Sequence, residues 1–220
     1  MTEGNHRERI LGRVRTALGR DGAPDPAAVA RARTEALGDG PVQRPVWDGP
    51  DRARFRRCLE QAAATTAEVD GLGAAGPAIA DWLGDTLPAG TPLHVARDPR
   101  LDAIEWPEGL ATARPSHGRD ALAAVSHADC AVAETGSVVL LSGAANPMTL
   151  AFLPDYHVVV VNAQDLVATM EDAWARLRGL PDFPPRAVNW ITGPSRTADV
   201  EQTLQLGAHG PRSLHVVLVG

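Results

Sequence analysis

From residue 5 to residue 19 the apolar positions Ile10, Leu11, Val14, Ala17 and Leu18 fall on one helical face. Arg7, Arg9, Arg13, Arg15 and Arg20 spread over the rest, and Gly22 and Pro24 stop the pattern. A basic amphipathic helix of this kind either docks on an acidic partner or membrane surface, or packs on its own domain with a solvated basic face. A second helical pattern covers Ala27 to Leu37, and the Gly/Pro-rich segment Gly38 to Pro50 reads as a linker. Residues 1–50 are therefore predicted as a helical arm and linker, and residues 51–220 as the domain proper. Residues 51–69 predict a long helix with Phe55, Leu59, Ala62, Ala63 and Val69 near one stripe. Gly71-Leu-Gly73-Ala-Ala-Gly76 follows, a formal G-x-G-x-x-G match. A dinucleotide loop needs a buried strand immediately before it. With a helix predicted there, the glycines read as a stop and turn ahead of another helix, Pro77 to Leu87.

From residue 90 short apolar runs alternate with helical patterns. Pro92 to Ala96 predicts a strand and Arg119 to Ser126 a short helix. Asp129-Cys-Ala-Val-Ala-Glu134 and Ser137-Val-Val-Leu-Leu-Ser142 predict two strands joined by Thr135-Gly136, a hairpin signal. His157-Val-Val-Val-Val161 is nearly continuous β-branched sequence, as expected of a central strand covered on both faces. The helix after it opens on Thr169-Met-Glu-Asp172, a capping box with Asp in place of Glu. Ala187 to Ile191 and Leu214 to Val219 complete the strands. Strand and helix alternation over this length predicts an α/β domain with a largely parallel sheet and one antiparallel hairpin.

Composition then removes whole classes of chemistry. All 21 basic residues are arginine, so no lysine is present for a Schiff base or a phosphate-binding P-loop. The net charge of −6 disfavours a nucleic-acid surface. The two cysteines, Cys58 and Cys130, are too few for a four-thiolate iron–sulfur cluster or a zinc ribbon, and read as buried small apolar residues. No apolar run approaches the ~20 residues that span a bilayer. Residues 1–22 lack a hydrophobic signal core. A cytoplasmic chain is expected.

Two polar clusters stand out against this background. The first follows the strand Ala187–Ile191: a turn at Gly193-Pro194, then Ser195, Arg196, Thr197 and Asp199, then a short helical pattern from Val200 to Leu206. Outward-facing N–H groups at a strand-to-helix turn, with a forked guanidinium, suit a carboxylate or phosphate. A plain connection in which Ser195 or Thr197 caps the helix fits equally well. Gly207-Ala-His209-Gly-Pro211 closes this cluster, and His209 is the best general acid–base candidate. The second cluster is Glu134-Thr135-Gly136-Ser137. Glu134 reads either as a nucleophile or base with a pKa raised by burial, or as a solvated carboxylate at a hairpin end. The small-residue loop Ser142 to Pro147 reads as a turn, with room for a ligand. His157 and His215, inside strand patterns, read as structural. No histidine pair has metal-ligand spacing near a carboxylate.

Taken together, Ala128-Asp-Cys-Ala-Val-Ala-Glu-Thr-Gly-Ser-Val-Val-Leu141, His157–Val161, Gly193-Pro-Ser-Arg-Thr-Ala-Asp199, Leu206–Pro211 and Leu214–Leu218 resemble the LUD-domain family of lactate utilization protein C (LutC/YkgG) proteins. The resemblance covers roughly residues 90–220. It implies a NagB/RpiA/CoA-transferase-like fold, a mixed, largely parallel sheet flanked by helices, here with an N-terminal helical arm. It implies an accessory subunit in the oxidation of L-lactate to pyruvate, with iron–sulfur clusters on partner subunits and none in this chain. A small-anion site would then set Gly193, Ser195, Arg196, Thr197 and Asp199 opposite Glu134, Thr135, Gly136, Ser137 and His209. Two other roles fit the resemblance: a CoA- or acyl-transferring enzyme using Glu134, and a purely structural or regulatory assembly subunit.

Overall fold

The structure, a computed structural model, describes residues 3–19, 22, 25–37, 44–115, 117, 120–197, 205–206 and 209–220. The chain divides into two compact units, residues 1–44 and 45–220. The first contains helices α1 (Glu3–Ala17) and α2 (Pro26–Leu37). Ile10 and Val14 of α1, Leu18 just after it and Val29 of α2 are exposed. Within the second unit Trp47 packs against the core and donates its indole N–H to Asp51 at 3.2 Å, so the domain includes residues ahead of position 51.

The domain begins with α3 (Asp51–Gln61), β1 (Thr65–Val69), α4 (Leu72–Leu83), β2 (Leu93–Val95), β3 (Thr112–Ala113) and β4 (Ala123–His127). Next come β5 (Cys130–Val132), β6 (Ser137–Leu141), α5 (Met148–Phe152), β7 (Tyr156–Asn162), β8 (Leu166–Val167) and α6 (Met170–Arg178). It ends with β9 (Val188–Ile191), β10 (Arg196–Thr197), β11 (Gln205–Leu206) and β12 (Ser213–Val219). Six strands form an all-parallel sheet in the order β1-β12-β7-β4-β2-β3. A second sheet, β8-β5-β6-β9, is antiparallel except for the β5–β8 pair.

Alternation along β7 shows how the layers stack. Val158 and Val160 enter the core beneath α4, with Ile79, Leu93, Val125 and Val217. Val159 and Val161 enter a second core, where Phe55 and Leu59 of α3 meet Val138 and Leu140 of the smaller sheet. The other face of that sheet, Cys130, Val132 and Val139, packs on Ala173 and Leu177 of α6. The central position expected for His157–Val161 is what the structure has. The capping box at α6 is present as well, with Thr169 Oγ1 accepting from the N–H of Asp172 at 3.3 Å. Cys130 is buried, and burial pushes its thiol up to about 12. Cys58 is only half-buried and donates its thiol to the carbonyl of Glu134 at 3.6 Å.

Four predicted elements differ. The helix expected over 119–126 is instead strand β4, buried along its whole length between β7 and β2; the position overrides the helix preference of its alanines. The long helix over 51–69 ends at Gln61, where Ala63 turns at φ 62°, and Thr65–Val69 pairs with β12. β-Branched threonines beside an open sheet edge decide that outcome. A strand therefore does precede Gly71, and the helix after it starts at Leu72 rather than Pro77. The glycines serve close packing: a Cβ on Gly76 would lie 1.9 Å from the carbonyl oxygen of Glu105, and the Glu105 carboxylate lies beside Gly73, where it opposes a phosphate. Finally, Gln205 and Leu206 form β11, antiparallel to β10, rather than the end of a helix; residues 200–204 of that prediction lie outside the described residues. Among the described residues no helix is long and apolar enough to cross a membrane.

Candidate functional site

The β5–β6 hairpin turns through residues 133–136, closed by the N–H of Gly136 donating to the carbonyl of Val132 at 3.0 Å. Gly136 sits at φ 68°, and a Cβ there would come within 2.7 Å of Cys58 and Leu59, so only glycine fits against α3. The turn aims its hydroxyls along the sheet end. Thr135 Oγ1 lies 2.7 Å from Ser137 Oγ, which lies 2.5 Å from Thr192 Oγ1 in the segment leaving β9. Glu134 points elsewhere. Its Oε2 accepts the N–H of Met170 at 3.1 Å, in the first turn of α6, where a negative charge is favoured by the helix dipole. The carbonyl of Glu134 receives the Arg54 guanidinium at 3.1 Å.

The β9–β10 connection is equally constrained. Gly193 lies at φ 100°, and a Cβ there would meet the carbonyl oxygen of Ala62 at 2.5 Å. Just beyond it, the N–H of Ser195 donates to the carbonyl of Pro211 at 2.8 Å, tying the connection to the loop that enters β12. Between these two loops lies a cleft of about 260 Å³. Thr192, Gly193, Ser195, His209 and Gly210 form its polar side, and Phe152, Trp190 and Leu214 its apolar wall. His157 also lines it. That side chain is fully buried, with Nε2 3.1 Å from Ser126 Oγ and Nδ1 without a partner among the described residues. Burial drives its pKa down to about 3, so it remains a neutral donor or acceptor at physiological pH.

The structure thus brings Gly193, Ser195 and His209 to one cleft and links Thr135 and Ser137 to it through Thr192. Gly136 holds the hairpin that makes the link. Arg196 begins β10 beside Ser195 and is exposed; it does not line the cleft. The side chain of Thr197 and the whole of Asp199 lie outside the described residues. His157 and Thr192 escaped the sequence reasoning. In the sequence His157 reads as a structural strand histidine, and only its place against the cleft adds the second role. Among the described residues no group of three or more His, Cys, Asp or Glu side chains is placed to hold a metal ion. Neutral imidazole, hydroxyls and an exposed histidine beside an apolar wall suit a small molecule with a short carbon body and an anionic or hydroxylated head.

Comparison with known proteins places these features in context. Residues 90–219 match the LUD domain family, a span that contains every residue of the cleft. The lactate utilization protein C of Deinococcus radiodurans is 33% identical over 208 residues, covering 88% of this chain and 91% of the relative. Those of Geobacillus sp. (strain WCH70) and Anoxybacillus flavithermus are 30% and 32% identical over 122 and 142 residues. These two alignments span 51% and 64% of the relatives' own length. In fold, the chain is similar to a crystal structure of a DUF162 family protein from Deinococcus radiodurans, with a TM-score of 0.61 and 21% identity over 80% of this chain and 100% of that one.

Proposed function

The chain belongs to the lactate utilization protein C family of LUD-domain proteins, and on that premise we propose that it is an accessory subunit in lactate utilization that binds a small carboxylate. The convergence of Ser195, Thr192 and His209 over the buried, neutral His157 carries the reading. A three-carbon hydroxy or keto acid offers a carboxylate to the hydroxyls and imidazoles, and a methyl group to Phe152 and Leu214. Arg196, next to Ser195, supplies a cationic rim that draws the anion in and is screened by salt. His209 is the group positioned to take or return a proton at the substrate oxygen. The two electrons released when L-lactate becomes pyruvate pass, in this reading, to iron–sulfur partner subunits, since Cys58 and Cys130 are too few to hold a cluster.

Calorimetric titration with L-lactate, pyruvate and inorganic phosphate tests the site. The two carboxylates are expected to bind more tightly than phosphate. Ser195→Ala and His209→Ala each weaken binding about tenfold, the cost of one charge-assisted hydrogen bond. Binding equal to wild type in both variants removes the site. Pull-down of cysteine-rich subunits from the source cell by the full chain tests the assembly, and their absence from the eluate counts against it.

A further inference from the structure

The cleft between the β9–β10 connection and the loop entering β12 is larger than a three-carbon acid needs. A water molecule takes about 30 Å³ of liquid, and a three-carbon hydroxy acid displaces about four of them, roughly 120 Å³. That fills less than half of a cleft of about 260 Å³. Lactate held by its carboxylate at Ser195 and His209 would leave the remainder to water.

The surplus room has an apolar lining. Its floor is the open end of the second core: Ala151 and Leu214 belong to that core, and Ile191 packs against it. Phe152, the last residue of α5, stands beside them and is 40% exposed. Water over such a surface finds few hydrogen-bond partners, so displacing it with an apolar group favours binding. Gly210 sets the spacing between the polar and apolar ends. A Cβ placed on it would lie 3.2 Å from the Cβ of Ser195 and 3.7 Å from the carbonyl oxygen of Phe152. The two ends therefore flank a single residue, and one short molecule reaches both.

We infer that this cleft binds 2-hydroxy and 2-oxo acids with an aromatic side chain more tightly than lactate, and that Phe152 selects for that side chain. Such binding rests on the carboxylate reading of the same cleft: the acid group lies on Ser195, Thr192 and His209, as proposed for the three-carbon acids. A phenyl ring added to the methyl carbon brings the ligand to roughly 220 Å³, close to the room available. The ring meets Phe152 offset or edge-on and covers Ile191 and Leu214.

Titration of the full chain with L-lactate, L-2-hydroxyisocaproate and L-phenyllactate tests the preference. Affinity is expected to rise along that series, with phenyllactate about tenfold tighter than lactate. Phe152→Ala should weaken phenyllactate about tenfold and lactate about twofold. Phe152→Leu keeps apolar bulk without a ring face and should fall between wild type and Phe152→Ala. Phe152 is exposed at the end of its helix, so both variants fold. Ser195→Ala weakens all three acids alike. Lactate bound as tightly as phenyllactate, or equal losses of both in Phe152→Ala, overturns the aromatic preference and leaves the carboxylate site standing. If none of the three acids binds, both readings fall.

Discussion

His157 and His215 are held in forms that water would not favour at low pH. Burial lowers the first to about 3 and the second, 3% exposed and stacked on Trp82, to about 4. In the unfolded chain both titrate near 6.5. As the pH falls below that value the unfolded state takes up protons that the folded state refuses, so stability is lost on acidification. The loss amounts to about 1.4 kcal/mol per pH unit for each histidine, continuing until the folded pKa is reached. Urea unfolding midpoints should therefore fall from pH 7 to pH 5. His157→Gln keeps a polar partner for Ser126 and should remove about 1.4 kcal/mol per pH unit from the slope between pH 6 and 5, leaving the shares of His215 and of His127, which burial also lowers. A slope identical to wild type would show that His157 is not held neutral. The same residue marks the limit of reading a side chain from its neighbours. In sequence His157 belongs to a strand and looks structural; in three dimensions it is also the floor of a cleft.

At the scale of the element, helix α6 and the β5–β6 hairpin share one junction. Thr169→Ala removes the cap and is expected to cost about 1 kcal/mol. Glu134→Gln weakens the charge at the same helix start and costs about 0.5 kcal/mol. Both are measurable as shifts of the thermal midpoint. Because the Glu134 carboxylate accepts from Met170 rather than lining the cleft, incubation with acyl-CoA thioesters should leave no adduct at Glu134 by mass spectrometry. An adduct would reinstate Glu134 as a nucleophile. Gly193→Ala forces a Cβ against Ala62 in a left-handed backbone, costs about 2 kcal/mol or more, and should weaken carboxylate binding as the loop shifts. The hairpin turn and the cap were legible because Thr135-Gly136 and Thr169-Met-Glu-Asp172 act within a few residues. The nature of 65–69 and 123–127 was not: the first follows an alanine run that continues the helical stripe, and the second opens on alanines whose helix preference is too weak to resist a place in the sheet.

For the whole molecule, the buried clusters formed by the described residues draw on the 45–220 unit. Removing residues 1–44 is thus expected to leave one cooperative unfolding transition, with its midpoint within about 4 °C of the full chain. Loss of cooperativity would mean that the arm contributes to the core. What the sequence alone determined is the class of the domain, the central valine strand, the hairpin, the capping box and the exclusion of lysine chemistry. Those are properties of short windows or of composition, where local patterning dominates the free energy. Only the tertiary structure decided that β1 and β4 are strands, that a second sheet lies between α3 and α6, and which polar residues meet. Whether Ser195 faces His209 or Glu134 faces Met170 depends on strands brought together from far along the chain. That choice is made by burial of the two apolar faces of β7, a long-range term that no window of neighbouring residues contains.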